Sequence, residues 1–572
     1  MFKLFSKYSK KYTLQIILVV LITIIQVMIQ FFGLNMEMKN VLDQGVLQKD
    51  LNYIYQSGGR MLLFSVLIIL CIVIITYLSA VISTGFRRDI CRGCYQKVIN
   101  MTPQDFNSFG ESTLFLRTIN DTNDIQKFLY TFLRTSILLP VAILLTMLSV
   151  FFLDREIFFL ELTAFLAAIV YTVLTMVSTK PQFITLRSKM DYYNLLIKEK
   201  ITGARTIRAY CNQKLEENKI EKADRDIRDA DIRANIPLKF MSPVTMVVTQ
   251  WIIVIIYLVA AKQIQAEAIE LSTILLIISY TSFFASSLSV LPALFLLLPG
   301  ATVASNRINE LLDYQISENS AEIPIDHIDT IKICNVSFDY CGEEKILSDI
   351  SFEIQKHEKV AIIGATGSGK TTLLSIIQGF YRPTEGVVEI NGKPVGEYCT
   401  DSLLKCFSYE TQKNVIFQDT VLNNIQMYHD EITDEYYIPA IHNAAFDDVL
   451  EKLQDGLNTE MDCGGMNLSG GQRKRLSLAR TLAKPADVYV LDDPFAGLDA
   501  STERTVLTRM LQFIENKTVI MVTQRIKSIV DFDKVVVLSN GKIVGIGKHE
   551  ELLSQCVEYK EIYDTQCYLE KE

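Results

Sequence analysis

Two kinds of hydrophobic pattern divide the chain. Up to about position 300, apolar residues come in blocks of roughly 20, the length that carries an α-helix across a ~30 Å hydrocarbon core. Six blocks stand at about 14–34, 61–84, 136–153, 157–178, 241–261 and 272–298. Beyond them the apolar runs are short, as in Val360-Ala361-Ile362-Ile363 and Val488-Tyr489-Val490-Leu491, and polar residues separate them. Runs of that length between turn residues read as buried strands. The pattern predicts an all-α six-helix transmembrane domain over 1–313, a polar linker over 314–330 and an α/β domain over 331–572.

Charges in the loops set the expected orientation. Lys3, Lys7, Lys10 and Lys11 precede the first block with no acidic residue among them, so the positive-inside rule places the N-terminus in the cytoplasm. Six crossings return the C-terminal half to the same side, which predicts a multi-pass protein of the cell membrane with both termini cytoplasmic. The first block is too long for a signal-peptide core and lacks a small-residue cleavage site, so it reads as a retained span. Asp154-Arg155-Glu156 alone joins the third and fourth blocks, predicting a tight external turn. The second-to-third and fourth-to-fifth connections run for about 50 and 60 residues, charged with helical periodicity (Arg87, Arg88, Arg92 and Lys97 in one, Lys214 to Arg233 in the other). They predict helices continuing into the cytoplasm, with their tips at the soluble domain.

Inside the apolar blocks Glu161 stands out, because an ionisable group in hydrocarbon is costly and faces a cavity or a partner. Two readings stay open: a place on a substrate pathway, or a position near the outer interface. Gln26, Gln30 and Gln250 are explained by hydrogen bonds between helices.

Composition removes some alternatives. The net charge is −9 with no basic face, which argues against a nucleic-acid partner. The 11 cysteines show no framework spacing and read as free thiols. Cys91 and Cys94 form a lone C-x-x-C, two ligands short of a zinc site.

The soluble half carries the chemistry. After the apolar run at 360–363 comes Gly364-Ala365-Thr366-Gly367-Ser368-Gly369-Lys370-Thr371, which fits G-x-x-x-x-G-K-[ST]. Glycines let backbone N–H groups wrap a phosphate chain, and a helix from Thr372 onward points its positive end at the same anion. Lys370 then reaches the terminal phosphates of a nucleotide and Thr371 holds Mg²⁺. The run at 488–491 ends in Asp492-Asp493, and Asp492 suits the second Mg²⁺ ligand. Between them lies Leu468-Ser469-Gly470-Gly471-Gln472, followed by a basic helix from Arg473 to about Ala483. Glycine-exposed N–H groups and a Ser hydroxyl at a helix N-terminus make a second anion site. One nucleotide does not need two such sites in one domain. The economical arrangement is two domains head to tail, each site facing the other's P-loop.

These motifs identify the chain as resembling the ATP-binding cassette (ABC) proteins, and the resemblance covers nearly its whole length. It implies an α/β P-loop ATPase domain binding ATP with Mg²⁺ at Gly364, Thr366, Gly367, Ser368, Gly369, Lys370, Thr371 and Thr372. In this pattern Tyr340, 24 residues before Gly364, resembles the aromatic that stacks on adenine. Gln412 resembles the glutamine that contacts Mg²⁺ and the spanning domain, so the implied metal set is Thr371, Gln412 and Asp492. Asp499 resembles the D-loop aspartate. Asp105-Phe106 to Asp121 resembles the first intracellular loop, Gly203 to Tyr210 the second coupling region, and Arg307-Ile308 the exit from the sixth span.

The sequence departs from the family's catalytic pattern at two positions. Glutamate usually follows the Walker B aspartate and polarises the attacking water; here it is Asp493. One methylene less moves the carboxylate by roughly 1.5 Å, and misplacement on that scale costs about 100-fold in rate. The switch histidine is replaced by Gln524, which hydrogen-bonds but takes no proton. Both fall in the site built on this chain's own P-loop, while the signature at 468–472 is intact. A lesser departure is Cys463, where the family often has glutamate and where Glu460 or Asp462 lies near. The asymmetry resembles the degenerate-site member of a heterodimeric bacterial multidrug exporter. The expectation is a subunit moving amphipathic or hydrophobic small molecules or peptides across the lipid bilayer, paired with a second, non-identical half-transporter. Two alternatives remain at this point: a siderophore importer of the same fold, and a regulatory ATP-binding subunit or ATP-gated channel.

Overall fold

A computed structural model describes residues 2–265, 269–288, 291–316, 323–340, 345–429 and 431–569. Residues 317–322 of the expected linker and 289–290 of the sixth apolar block lie outside the described residues. Two compact units result: Met1–Asn100 with Phe109–Tyr314, and Met101–Ser108 with Gln315–Glu572.

The first unit is helical: α1 (Lys3–Val46), α2 (Leu51–Ile99), α3 (Glu111–Leu153), α4 (Arg155–Thr202), α5 (Gln213–Gln265), α6 (Leu271–Leu288) and α7 (Leu291–Asp313). Helices α1 to α5 are long and apolar enough to cross a membrane, and α6 is a shorter apolar helix. The sixth block is shared between α6 and α7. Helices α2, α4 and α5 have 49, 48 and 53 residues, more than twice the span requirement, so the charged connections do continue as helix. Their starts follow from capping: the Asp50 carboxylate accepts from the N–H groups of Asn52 and Tyr53, and that of Asp154 from Ile157 N–H. Helix α4 therefore begins at Arg155, and the turn between α3 and α4 contracts from the expected three residues to Asp154 alone.

The core of this unit joins α1, α3, α4, α5 and α6 through residues including Val27, Phe31, Val150, Ile157, Ile256, Ile277 and Tyr280. Phe31 and Tyr280 stack with centroids 4.4 Å apart. Leu62, Leu63 and Ile69 of α2 point outward instead. An apolar exterior on helices whose backbone bonds are all internal is what hydrocarbon demands. Gln30 departs from expectation. Its amide reaches Asn35, five residues on in α1, rather than another helix, because local π-helical turns at Ile29–Asn35 bring the two side chains together.

The second unit is built on two sheets. An antiparallel sheet has the order β2-β1-β4-β5, formed by β1 (Thr330–Phe338), β2 (Leu347–Gln355), β4 (Glu385–Ile390) and β5 (Lys393–Pro394). The other has the order β10-β9-β3-β8-β7-β6, from β3 (Lys359–Gly364), β6 (Phe407–Glu410), β7 (Val488–Asp492), β8 (Thr518–Val522), β9 (Lys534–Ser539) and β10 (Lys542–Gly547). Strands β9, β3, β8, β7 and β6 are mutually parallel. Their apolar runs are continuous because both faces are covered. Ala361 and Ile363 enter one core, Val360 and Ile362 the other; Tyr489 and Leu491 alternate in the same way with Val488 and Val490. Parallel strands share one carboxyl edge, and that edge is where α/β proteins place ligands.

Candidate nucleotide site

The carboxyl ends of β3, β8, β7 and β6 deliver nearly every expected residue to one place. The loop after β3 runs into helix α8 (Lys370–Ile377), which starts two residues earlier than the sequence suggests because Lys370 and Thr371 already take helical geometry. Gly369 caps it at φ +94°, and a Cβ there would meet Leu347 Cδ2 at 2.6 Å, so only glycine fits. Lys370 Nζ donates to the carbonyls of Gly364 (2.9 Å) and Ala365 (2.7 Å) and to Ser368 Oγ (3.3 Å), which curls it over the loop. Burial pulls its pKa below the ordinary lysine value, against the opposing pull of Asp492 and Asp493.

Thr371 Oγ1 donates to Asp492 Oδ2 at 2.8 Å, joining the two expected Mg²⁺ ligands. Burial raises the Asp492 pKa, and the Thr371 hydroxyl bond works the other way. A buried carboxylate next to a hydroxyl, with one further oxygen available, suits a hard divalent cation that keeps water ligands. Asp493 follows in the left-handed region (φ 51°), its N–H held by the Val522 carbonyl at the end of β8 (2.9 Å). Gln524 lies just past β8, and its carbonyl accepts from Gln566 Nε2 (2.5 Å). Thr366, Gly367, Gly369, Lys370, Thr371, Thr372, Gln412, Asp492, Asp493 and Gln524 all line one cavity of about 330 Å³, a size that takes a small-molecule ligand. Tyr340 stands beside it, its hydroxyl 3.2 Å from Thr372 Oγ1.

The signature residues are not part of that cavity's lining. Helix α9 (Gly470–Ala483) begins three residues before Arg473, because Ser469 closes a capping box: its Oγ accepts from Gln472 N–H (3.3 Å) while Gln472 Oε1 accepts from Ser469 N–H (2.8 Å). Leu468 is buried and anchors the loop, whereas Ser469 and Gly470 are exposed. Asp499 caps α10 (Ala500–Phe513), accepting from Ser501 Oγ, Thr502 N–H and Thr502 Oγ1, and these donors hold its pKa well below the usual carboxylate range.

Three features of the site lie outside the sequence motifs. Glu410, ending β6 two residues before Gln412, is buried with Lys474 of α9 at 3.1 Å, and its other oxygen accepts from Ser477 Oγ (2.9 Å) and Thr481 Oγ1 (2.8 Å). The spacing 474, 477, 481 places those three on one helical face, a legible signal. Tyr381 packs edge-on against Tyr340 (5.5 Å) and accepts a hydrogen bond from Asn107 Nδ2 (2.6 Å). Gln566, which bonds the Gln524 carbonyl, comes from the last described helix and carries no sequence signal.

Residues 347–496 match the ABC transporter family model, and residues 12–288 match that of the ABC transporter transmembrane region. An uncharacterized ABC transporter ATP-binding protein of Mycobacterium tuberculosis is 29% identical over 539 residues, 92% of this chain and 91% of that one. An ATP-dependent lipid A-core flippase of Haemophilus ducreyi is 26% identical over 537 residues, 92% of each. Among solved structures, a bacterial Atm1-family ABC exporter with ATP bound superposes with a TM-score of 0.82 at 20% identity, covering 98% of this chain and 99% of that one.

Proposed function

The chain belongs to the ABC transporters, with the transmembrane region and the ATP-binding cassette in one polypeptide, and from that premise we propose that it is half of an ATP-driven exporter whose other half is a non-identical chain. ABC transporters are ATPases and this one is a multi-pass membrane protein. The proposal concerns how the work is divided. Residues at Asp493 and Gln524 carry it.

At the P-loop, backbone N–H groups of the glycine-rich turn and Lys370 bind the phosphates of ATP, and Tyr340 offers its ring to the adenine. Thr371, Asp492 and Gln412 hold Mg²⁺, which when bound screens charge on the phosphates. Hydrolysis further needs a carboxylate that orients water and a group that answers charge on the terminal phosphate. Asp493 is one methylene short for the first task, and Gln524 supplies a hydrogen bond but neither charge nor proton transfer for the second. This site therefore binds ATP and hydrolyses it slowly. Ser469, Gly470, Gly471 and Gln472 close over the second chain's ATP, where turnover takes place, and Asp499 supports that closure. Both termini lie in the cytoplasm, and the cargo is an amphipathic or hydrophobic compound.

The experiment is an ATPase assay on the reconstituted pair. Asp493→Asn lowers turnover by less than about tenfold, whereas Ser469→Ala, acting on the other site, lowers it by 100-fold or so. Abolition of turnover by Asp493→Asn alone overturns the division of labour. A fully active complex containing only this chain overturns the second, non-identical subunit.

A further inference from the structure

Glu161 is a buried ionisable group of the membrane unit that the nucleotide chemistry leaves unused. It sits in α4, about 10 Å along the helix from its Asp154 cap at 1.5 Å per residue. The residue is only 5% exposed. One carboxylate oxygen, Oε1, accepts from the Thr281 hydroxyl of α6. The other, Oε2, is buried and has no hydrogen-bond partner among the described residues. Glu161 borders a small cavity of about 30 Å³ between α3, α4, α5 and α6. Besides Glu161, Thr245, Thr249 and Thr281 form the polar part of the wall, Phe165 and Phe284 an aromatic corner with centroids 5.0 Å apart, and Ile252 an aliphatic side. No lysine, arginine or histidine is among the residues lining it.

A carboxylate withdrawn from water without a counter-charge costs several kcal/mol, so this site gains most from a ligand that brings a cation. Its volume admits an object the size of one or two waters, which matches an –NH₃⁺ head group and excludes a whole drug-sized molecule. A lone carboxylate with hydroxyls is a poor ligand set for Ca²⁺ or Mg²⁺, which take six or more oxygens. It suits an ammonium, whose three N–H donors are answered by Oε2 and hydroxyl oxygens while an aromatic face supplies cation–π attraction. The rest of the lining, Met147, Ala164, Ala168, Val248 and Ile252, is apolar, so the carbon that carries such a head group meets apolar side chains.

We infer that Glu161 is the anionic anchor of a substrate subsite in the membrane unit, taking the ammonium head of an amphipathic amine. The inference rests on the export reading and narrows its cargo. The test is equilibrium binding of radiolabelled dodecylamine to the full chain with its partner in lipid nanodiscs, with dodecanol and dodecanoate as competitors, alongside ATP-driven transport by the wild type. Displaceable amine binding is expected that dodecanol does not compete away. Glu161→Gln weakens it by about tenfold or more, Glu161→Asp by less, and Thr281→Val by a smaller factor. Equal amine binding by Glu161→Gln, as a carboxyl serving only as a proton site would give, overturns the inference, and so does equal competition by dodecanol. Wild-type transport with Glu161-independent amine binding sinks this inference and leaves export standing. Glu161-dependent amine binding without ATP-driven transport does the reverse.

Discussion

Glu161 and Glu410 are carboxylates buried in the two units, at 5% and 1% exposure, and their surroundings differ in kind. Glu410 meets an ammonium and two hydroxyls at the junction of β6 and α9. Glu161 meets one hydroxyl and a cavity. A buried charge that meets a counter-charge and two hydroxyls from within the fold fixes two elements against each other, and here it ties the strand before Gln412 to the helix behind the signature. A buried charge left half answered contributes little to architecture and is free to receive something from outside. Burial alone therefore does not separate structural from functional carboxylates; the count of donors does.

That contrast can be broken from the strong side first. Glu410→Ala strands the Lys474 ammonium in the core and is expected to cost about 3–5 kcal/mol, read as a fall in the thermal unfolding midpoint of the purified protein. Replacing both partners, Glu410→Leu with Lys474→Met, is expected to recover most of that loss, because the uncompensated charge is then gone. If the double variant is as unstable as Glu410→Ala, the pair does more than neutralise itself. Glu161→Gln keeps an acceptor for Thr281 and removes the charge, so its midpoint is expected to stay at or above the wild type's. A large drop there would make Glu161 a structural residue after all. Asp499 gives the smallest effect. Hydroxyl and N–H donors lower its pKa in the folded chain, so its contribution is present above the ordinary carboxylate pKa and is lost as pH falls through the folded value. Acid unfolding below about pH 4 should separate Asp499→Asn from the wild type, by little, since the group is exposed and screened.

Much of the candidate site was legible because phosphate binding is written in local sequence. Gly364 to Thr371 must turn tightly and expose N–H groups, so glycines at fixed spacing announce it, and the apolar runs before Gly364 and Asp492 announce strands. Glu410 was not legible in the same way. Its partner lies 64 residues on, and only the packing of α9 against β6 shows that Lys474 is buried rather than part of a solvated basic face. The expected starts of α8 and α9 were late by two and three residues, because capping by Gly369 and Ser469 begins a helix before its apolar period does.

From the sequence alone come the membrane and soluble halves, the motif residues, and the two replacements Asp493 and Gln524. All are matters of residue type, run length and short-range spacing, which survive without coordinates. Only the tertiary structure decided which residues meet. It brought Asp492, Asp493, Gln524 and Gln412 to the P-loop because β3, β8, β7 and β6 are parallel neighbours sharing one carboxyl edge. It also resolved Glu161 into a group that lines a cavity, with a single hydrogen-bond partner among the described residues, since what surrounds a side chain on four packed helices is a property of their packing and not of any one stretch of chain.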